Sequence, residues 1–225
     1  MTTLVHVTHE AVQQAGGIGT VLRGLITADS YRDYCQRTIL LGPLSDPGAE
    51  QPLGPEGEVL YDADRQICTG EVADVLRRVE FEFGVRLIYG RRLLSQEGHQ
   101  ARPEVLLVDV RHPPHGLNDF KHALFQHFGL DSQRYEHHWE YEQYLRLAEP
   151  GFAAVQALVG AEPFMLLAHE FMGLGTAFKA QLSGSPACKT LFYAHEVATV
   201  RPLVEEGPGR DIVFTIHCVG EGGGA

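Results

Sequence analysis

The sequence predicts an α/β fold, a Rossmann-like three-layer α/β/α sandwich with a mainly parallel sheet. Short apolar runs of strand length alternate along the chain with segments of helical spacing, the pattern of βα units whose strands pair in parallel. Several runs, such as PEVLLVDV at 103–110 and PFMLLAHE at 163–170, are apolar at nearly every position, as strands covered on both faces must be. With 225 residues, 44% hydrophobic and 21% charged, the chain is long and apolar enough to bury one substantial core.

Each element follows from its residues. Residues 4–7 form a first strand, and two adjacent glycines then open an amphipathic helix at 17–25. RTILLGPL at 37–44 is a second strand stopped by Gly42 and Pro43, and the Pro-, Gly- and acid-rich stretch 45–58 is a loop. The helix at 73–84 places Val75, Leu76 and Val79 on one side and ends at Gly84. VRLIYGRRLL at 85–94 and PEVLLVDV at 103–110 are the next strands, the latter expected in the centre of a parallel sheet. Residues 111–138 have no regular pattern and are rich in histidine and aromatics. A helix over 136–160 is expected to break near Pro150, because proline removes an intrahelical hydrogen bond. A strand at 163–170, a helix closed by Gly184, a strand at 189–196 and a last strand-like run in DIVFTIHCVG complete the series.

Charge and cysteine usage exclude whole classes. Lys and Arg number 18 against 29 Asp and Glu, a formal charge of −11, which is the wrong sign for a nucleic-acid surface. The four cysteines, Cys35, Cys68, Cys188 and Cys218, show no CxxC spacing, so reduced thiols rather than zinc knuckles or a disulfide framework are expected. MTTLVHVTHE is not a secretory leader and no run reaches the roughly 18 apolar residues of a membrane span. A soluble, cytoplasmic protein without membrane or nucleic-acid partners is expected.

Three stretches offer ligand chemistry. Gly16-Gly17-Ile18-Gly19 opens a helix, where exposed amides and the positive end of the helix dipole suit an anion; glycine there permits positive φ and close approach. The alternative is a plain turn, and neither a dinucleotide fingerprint nor a Walker A loop is present. His169-Glu170 and His195-Glu196 each end a strand, the edge where open α/β sheets bind ligands. Against that stands a strand-end histidine bonded only to backbone carbonyls. The histidines between 112 and 138 invite a metal, with Asp109 or Asp119 as oxygen ligand, or else an amphipathic segment packed on the sheet.

Taken together, HEAVQQAGGIGTVLRGL, AHEFMGLGTAFKAQL and FYAHEVATVR, in this order and spacing, resemble the N-terminal (starch synthase catalytic) domain of the glycogen/starch synthase-like retaining glycosyltransferases with the two-Rossmann-domain, or GT-B, fold. Glu10, Gly16, Gly17 and Ile18 fall on that family's first motif, His169 on its second and His195 on its third. Gln14 occupies the place of the family lysine, and His-Glu-Phe the place of His-Asp-Trp. The resemblance implies transfer of a hexosyl unit from a nucleotide-sugar to a glucan or other carbohydrate acceptor, with retention. It assigns His169 to the sugar as the catalytic residue. Glu10, Gln14, the Gly16–Gly19 backbone, Glu170, His195 and Glu196 fall to substrate binding. No cofactor or metal is required, the nucleotide-sugar being substrate. It also implies that 1–225 is one Rossmann-like acceptor-side domain whose nucleotide-sugar-binding partner domain is absent from this chain, so that the chain alone is inactive. A non-catalytic carbohydrate- or partner-binding module and a metal-dependent hydrolase are the rival expectations.

Overall fold

The computed structural model describes residues 2–13 and 16–195. Met1–Tyr193 is one compact unit and Ala194–Ala225 a second; the last strand-like run read from the sequence lies outside the described residues. In chain order the first unit contains β1 (Thr3–Val7), α1 (Gly17–Thr27), α2 (Asp29–Tyr34), β2 (Arg37–Pro43), β3 (Glu58–Asp62), β4 (Ile67–Cys68), α3 (Val72–Phe83), β5 (Leu87–Arg91), β6 (Leu94–Gln96) and β7 (His99–Ala101). It continues with β8 (Glu104–Val108), α4 (Leu117–Phe128), a 3-10 turn (Ser132–Tyr135), α5 (Trp139–Val159), β9 (Phe164–His169), α6 (Glu170–Ser183) and β10 (Cys188–Tyr193).

Among the described residues these strands make an 8-stranded sheet in the order β10-β9-β1-β2-β8-β5-β3-β4, with β6 and β7 as a separate hairpin. From β10 through β8 all neighbours are parallel. Helices flank the sheet, so the α/β class and its mostly parallel sheet are those the sequence predicts. α5 packs on both α3 and α6, whereas α1 packs on α2 and the β6–β7 hairpin.

Both sides of the central strands are buried. Val5, Val7, Ile39, Leu41, Leu106, Val108, Leu166 and Ala168 have no exposed surface, which accounts for strands apolar in unbroken runs. The interleaved positions of β1, β2 and β9 are not all apolar: His6, Thr38 and His169 share the opposite side of the sheet, since side chains alternate along a strand and register aligns them across it.

Four local expectations are corrected. Residues 85–94 are not one strand, and β5 runs antiparallel to β8, so β8 closes the parallel part of the sheet rather than lying at its centre. The stretch after the acidic loop contributes β3 and β4, an antiparallel extension held by buried Asp62, which accepts from Arg86 at 2.9 Å. Residues 117–128 are helical: Leu117, Phe120, Lys121 and Leu124 form a buried stripe at helical spacing, masked in the sequence by the lysine within it. That lysine is neutralised by Glu142 of α5 at 2.9 Å. Finally, α5 runs unbroken through Pro150. A mid-helix proline costs about 3 kcal/mol, but here α5 lies against α3, α6, β2 and β8, and Gly151 backs directly onto Leu41.

Candidate functional site

β1 lies between β2 and β9, so the chain leaves it in one direction and returns on the other. This reversal opens a crevice beyond the carboxyl ends of β1 and β9, the position where open α/β sheets take ligands. The two ends meet where Val7 registers with Ala168. Beyond them stand Thr8, His9 and Glu10 on one side and His169 and Glu170 on the other.

Glu10 turns back under the glycine loop. Its carboxylate is buried and accepts a hydrogen bond from the Gly19 amide at 2.7 Å, in the first turn of α1, while His9 Nε2 stands 3.3 Å from its other oxygen. Gly16 is glycine because of this carboxylate: a Cβ there would come within 2.9 Å of Glu10 Oε1. Its φ of −153° is extended, so close approach rather than a left-handed backbone is the property used. Gly16 and Gly17 are exposed, Ile18 and Gly19 are buried, and a Cβ on Gly17 would meet nothing within 4 Å. An internal anion thus takes part of the helix terminus, leaving the first turn at Gly17 open. Glu10→Ala removes a charge-assisted bond and is expected to cost about 2 kcal/mol in urea unfolding.

His169 ends β9 and is 1% exposed. Its Nε2 is 2.9 Å from Nδ1 of His6 on β1, with the two rings stacked at 5.2 Å, and Tyr193 of β10 stands 5.5 Å away. His6 Nε2 in turn meets the Tyr31 hydroxyl at 3.0 Å. Burial, and then the neighbouring His169, push His6 down to about 3, so it is neutral at physiological pH. Burial raises the Tyr31 hydroxyl, which likewise stays protonated. Immediately after His169 the chain turns sharply: Glu170 has φ 56°, an uncommon conformation for a residue with a side chain, and begins α6. Gly173 and Gly175, in the first turns of α6, serve packing. A Cβ on Gly173 would lie 2.5 Å from Ala168 Cα, and one on Gly175 3.0 Å from the Tyr144 carbonyl.

The other sequence-derived candidates are placed as follows. Gln14 and Glu196 lie outside the described residues. His195 is half-buried and belongs to the second unit. The histidines after 111 scatter: His115 Nδ1 bonds the Glu82 carbonyl at 3.0 Å and His137 stacks on His138, and among the described residues no group of three His, Cys, Asp or Glu side chains is arranged to hold a metal.

Three residues at the crevice escape sequence reasoning. His6 lies inside an apolar strand with no motif to mark it. His9 lines a recess of about 230 Å3 with Val12, Gln13, Leu44, Asp46 and Gln51, and its Nδ1 is buried without a partner. Arg92 reaches across from the β5–β6 connection, its Nη1 donating to the carbonyls of Ala11 at 2.6 Å and Val12 at 2.8 Å. Burial and then Arg23 lower its affinity for the proton. A guanidinium therefore stands under the loop that leads to the glycine pair, brought there by a residue far away in sequence. A second cavity, about 610 Å3 and lined by Lys121, His122, Phe125, Ser132 and Glu136, lies between α4 and the 3-10 turn.

No protein-family model matches the chain, and no curated protein sequence matches it. Among the described residues no helix is long and apolar enough to cross a membrane.

Proposed function

We propose that this chain is the acceptor-side domain of a retaining glycosyltransferase, moving a hexosyl unit from a nucleotide-sugar to a glucan or other carbohydrate acceptor. The observation that carries the proposal is the convergence at one sheet reversal: the open first turn of α1 beside the carboxyl end of β1, and His169 at the carboxyl end of β9. Sugar transfer from a diphosphate leaving group depends chiefly on stabilising the departing negative charge. The Gly17 amide and the α1 dipole supply that field, with Arg92 as a nearby cation. His169 sits on the sugar side, and His9 and the 230 Å3 recess offer polar and apolar walls to a sugar ring. Glu10 sets the loop rather than touching the diphosphate, since its carboxylate is directed into the same helix turn. Glu170 completes the proposed substrate contacts. A second nucleotide-sugar-binding domain and a cytoplasmic setting belong to the same proposal.

Gly17→Ala separates this from a structural turn. The new methyl has open space and a better helix propensity, so stability is expected to hold or rise by up to about 0.5 kcal/mol. Titration calorimetry with nucleoside-diphosphate hexoses is expected to show roughly tenfold weaker binding to the variant, because the methyl occupies the open space through which a diphosphate reaches the Gly17 amide. Undiminished donor affinity in Gly17→Ala would contradict the role given to this amide. Binding of maltooligosaccharides without any transfer by the complete protein would favour a non-catalytic module.

A further inference from the structure

The hydrogen bond between His169 and His6 is the upper end of a longer chain. From His6 it continues to the Tyr31 hydroxyl at 3.0 Å, to Thr38 Oγ1 at 3.0 Å, to Cys35 Sγ at 3.3 Å and on to the Arg37 carbonyl at 3.2 Å. It descends one side of the sheet from the carboxyl end of β9 to the amino end of β2. Its lower members line a cavity of about 480 Å3 with Arg32, Gln36 and Gln100.

The last acceptor fixes the direction. A backbone carbonyl only accepts, so the Cys35 thiol donates to Arg37 and its sulfur accepts from the Thr38 hydroxyl. Thr38 then accepts from Tyr31, the Tyr31 oxygen accepts from His6 Nε2–H, and His6 Nδ1 is left as acceptor for His169 Nε2–H. Each of these groups has one proton to give, so the order at one end determines the other.

We propose that Cys35, Thr38, Tyr31 and His6 act as a directional relay that holds His169 with a proton on Nε2. His6 and Tyr31 are in this sense positioning residues, acting through His169. That commits the Nε2–H of His169 to His6, so a sugar hydroxyl can receive a hydrogen bond from the ring only when Nδ1 also carries a proton. The sugar contact rests on the function proposed above; the tautomer does not.

Imidazole 15N NMR on the labelled chain at neutral pH reads the tautomers directly. The expected spectrum has His6 neutral with its proton on Nε2, and His169 protonated on Nε2. Tyr31→Phe removes the acceptor for His6 Nε2–H, so the His6 proton moves to Nδ1 and donates to His169, reversing the major tautomer of both rings. Thr38→Val is a smaller change with the same prediction, because Tyr31 then turns its O–H to His6. A wild-type His169 protonated on Nδ1 alone, or tautomers unchanged in a folded Tyr31→Phe or Thr38→Val variant, overturns the relay. An intact relay in a protein without transferase activity would leave the tautomer assignment standing and remove only the sugar contact.

Discussion

Lowering the pH from 7 to 4 is expected to cost the fold about 3 kcal/mol through His6 alone. The sign follows from its position. Burial, reinforced by His169, holds His6 at about 3 in the folded state against 6.5 when exposed. Between those values the unfolded chain binds a proton that the folded chain refuses. Stability therefore rises with pH across this window; the contribution is complete above 6.5 and is lost as pH falls towards 3. Carboxylates titrate in the same range, so the measurement is a difference: urea unfolding of wild type and His6→Gln from pH 7 to pH 4. The wild type is expected to lose about 3 kcal/mol more than the variant. Parallel curves for the two proteins would mean that His6 takes up its proton without unfolding, and that the buried pair is not what the geometry describes.

Gly173→Ala is expected to cost 2 kcal/mol or more, at the upper end of what overpacking does. The added methyl would stand 2.5 Å from Ala168 Cα and 2.8 Å from both its carbonyl carbon and its Cβ. Two of those three atoms are backbone in the middle of a parallel sheet, so the strain must move α6 rather than a side chain. The displaced segment begins at Glu170 and follows His169, so a folded variant is also expected to shift the His169 imidazole resonances. Gly175→Ala is the milder comparison: its closest contact is 3.0 Å, to the Tyr144 carbonyl on a neighbouring helix, which can give by a few tenths of an ångström. Calorimetric melting of both variants checks the order. Equal melting temperatures for Gly173→Ala and wild type would show that β9 and α6 do not approach as described.

What the sequence disclosed, and what it hid, divides along physical lines. Strands with two buried faces announce themselves as apolar runs, and β1, β2, β8 and β9 were all legible for that reason. Gly84 and Gly184 marked helix ends through their left-handed φ of 65° and 60°. α4 is hidden because a buried lysine interrupts its apolar stripe, and its ion pairs with Glu142 and Glu136 make that position tolerable. Pro150 misled because intrinsic propensity ignores packing on both sides of a helix. At the candidate site, the strand-end His169 and the glycine pair were visible as local patterns. Their closest partners were not: His6 meets His169 across 163 positions of sequence and Arg92 meets Val12 across 80, and no local spacing encodes such contacts. Of the two properties glycine offers at Gly16, close approach is the one used, since Glu10 lies against it and its backbone does not turn left-handed.

Sugar transfer at the carboxyl ends of β1 and β9 is open to a single assay. The protein expressed from its complete natural reading frame is incubated with nucleoside-diphosphate glucose and a maltooligosaccharide, and 1H NMR follows the anomeric protons and the released nucleoside diphosphate. Expected are release that depends on the oligosaccharide, a product with the donor's anomeric configuration, and a fall of about 100-fold in kcat for His169→Ala, the scale of removing one preorganised transition-state contact. No transfer from any hexose donor to any glucan, or transfer that His169→Ala leaves unchanged, would contradict it.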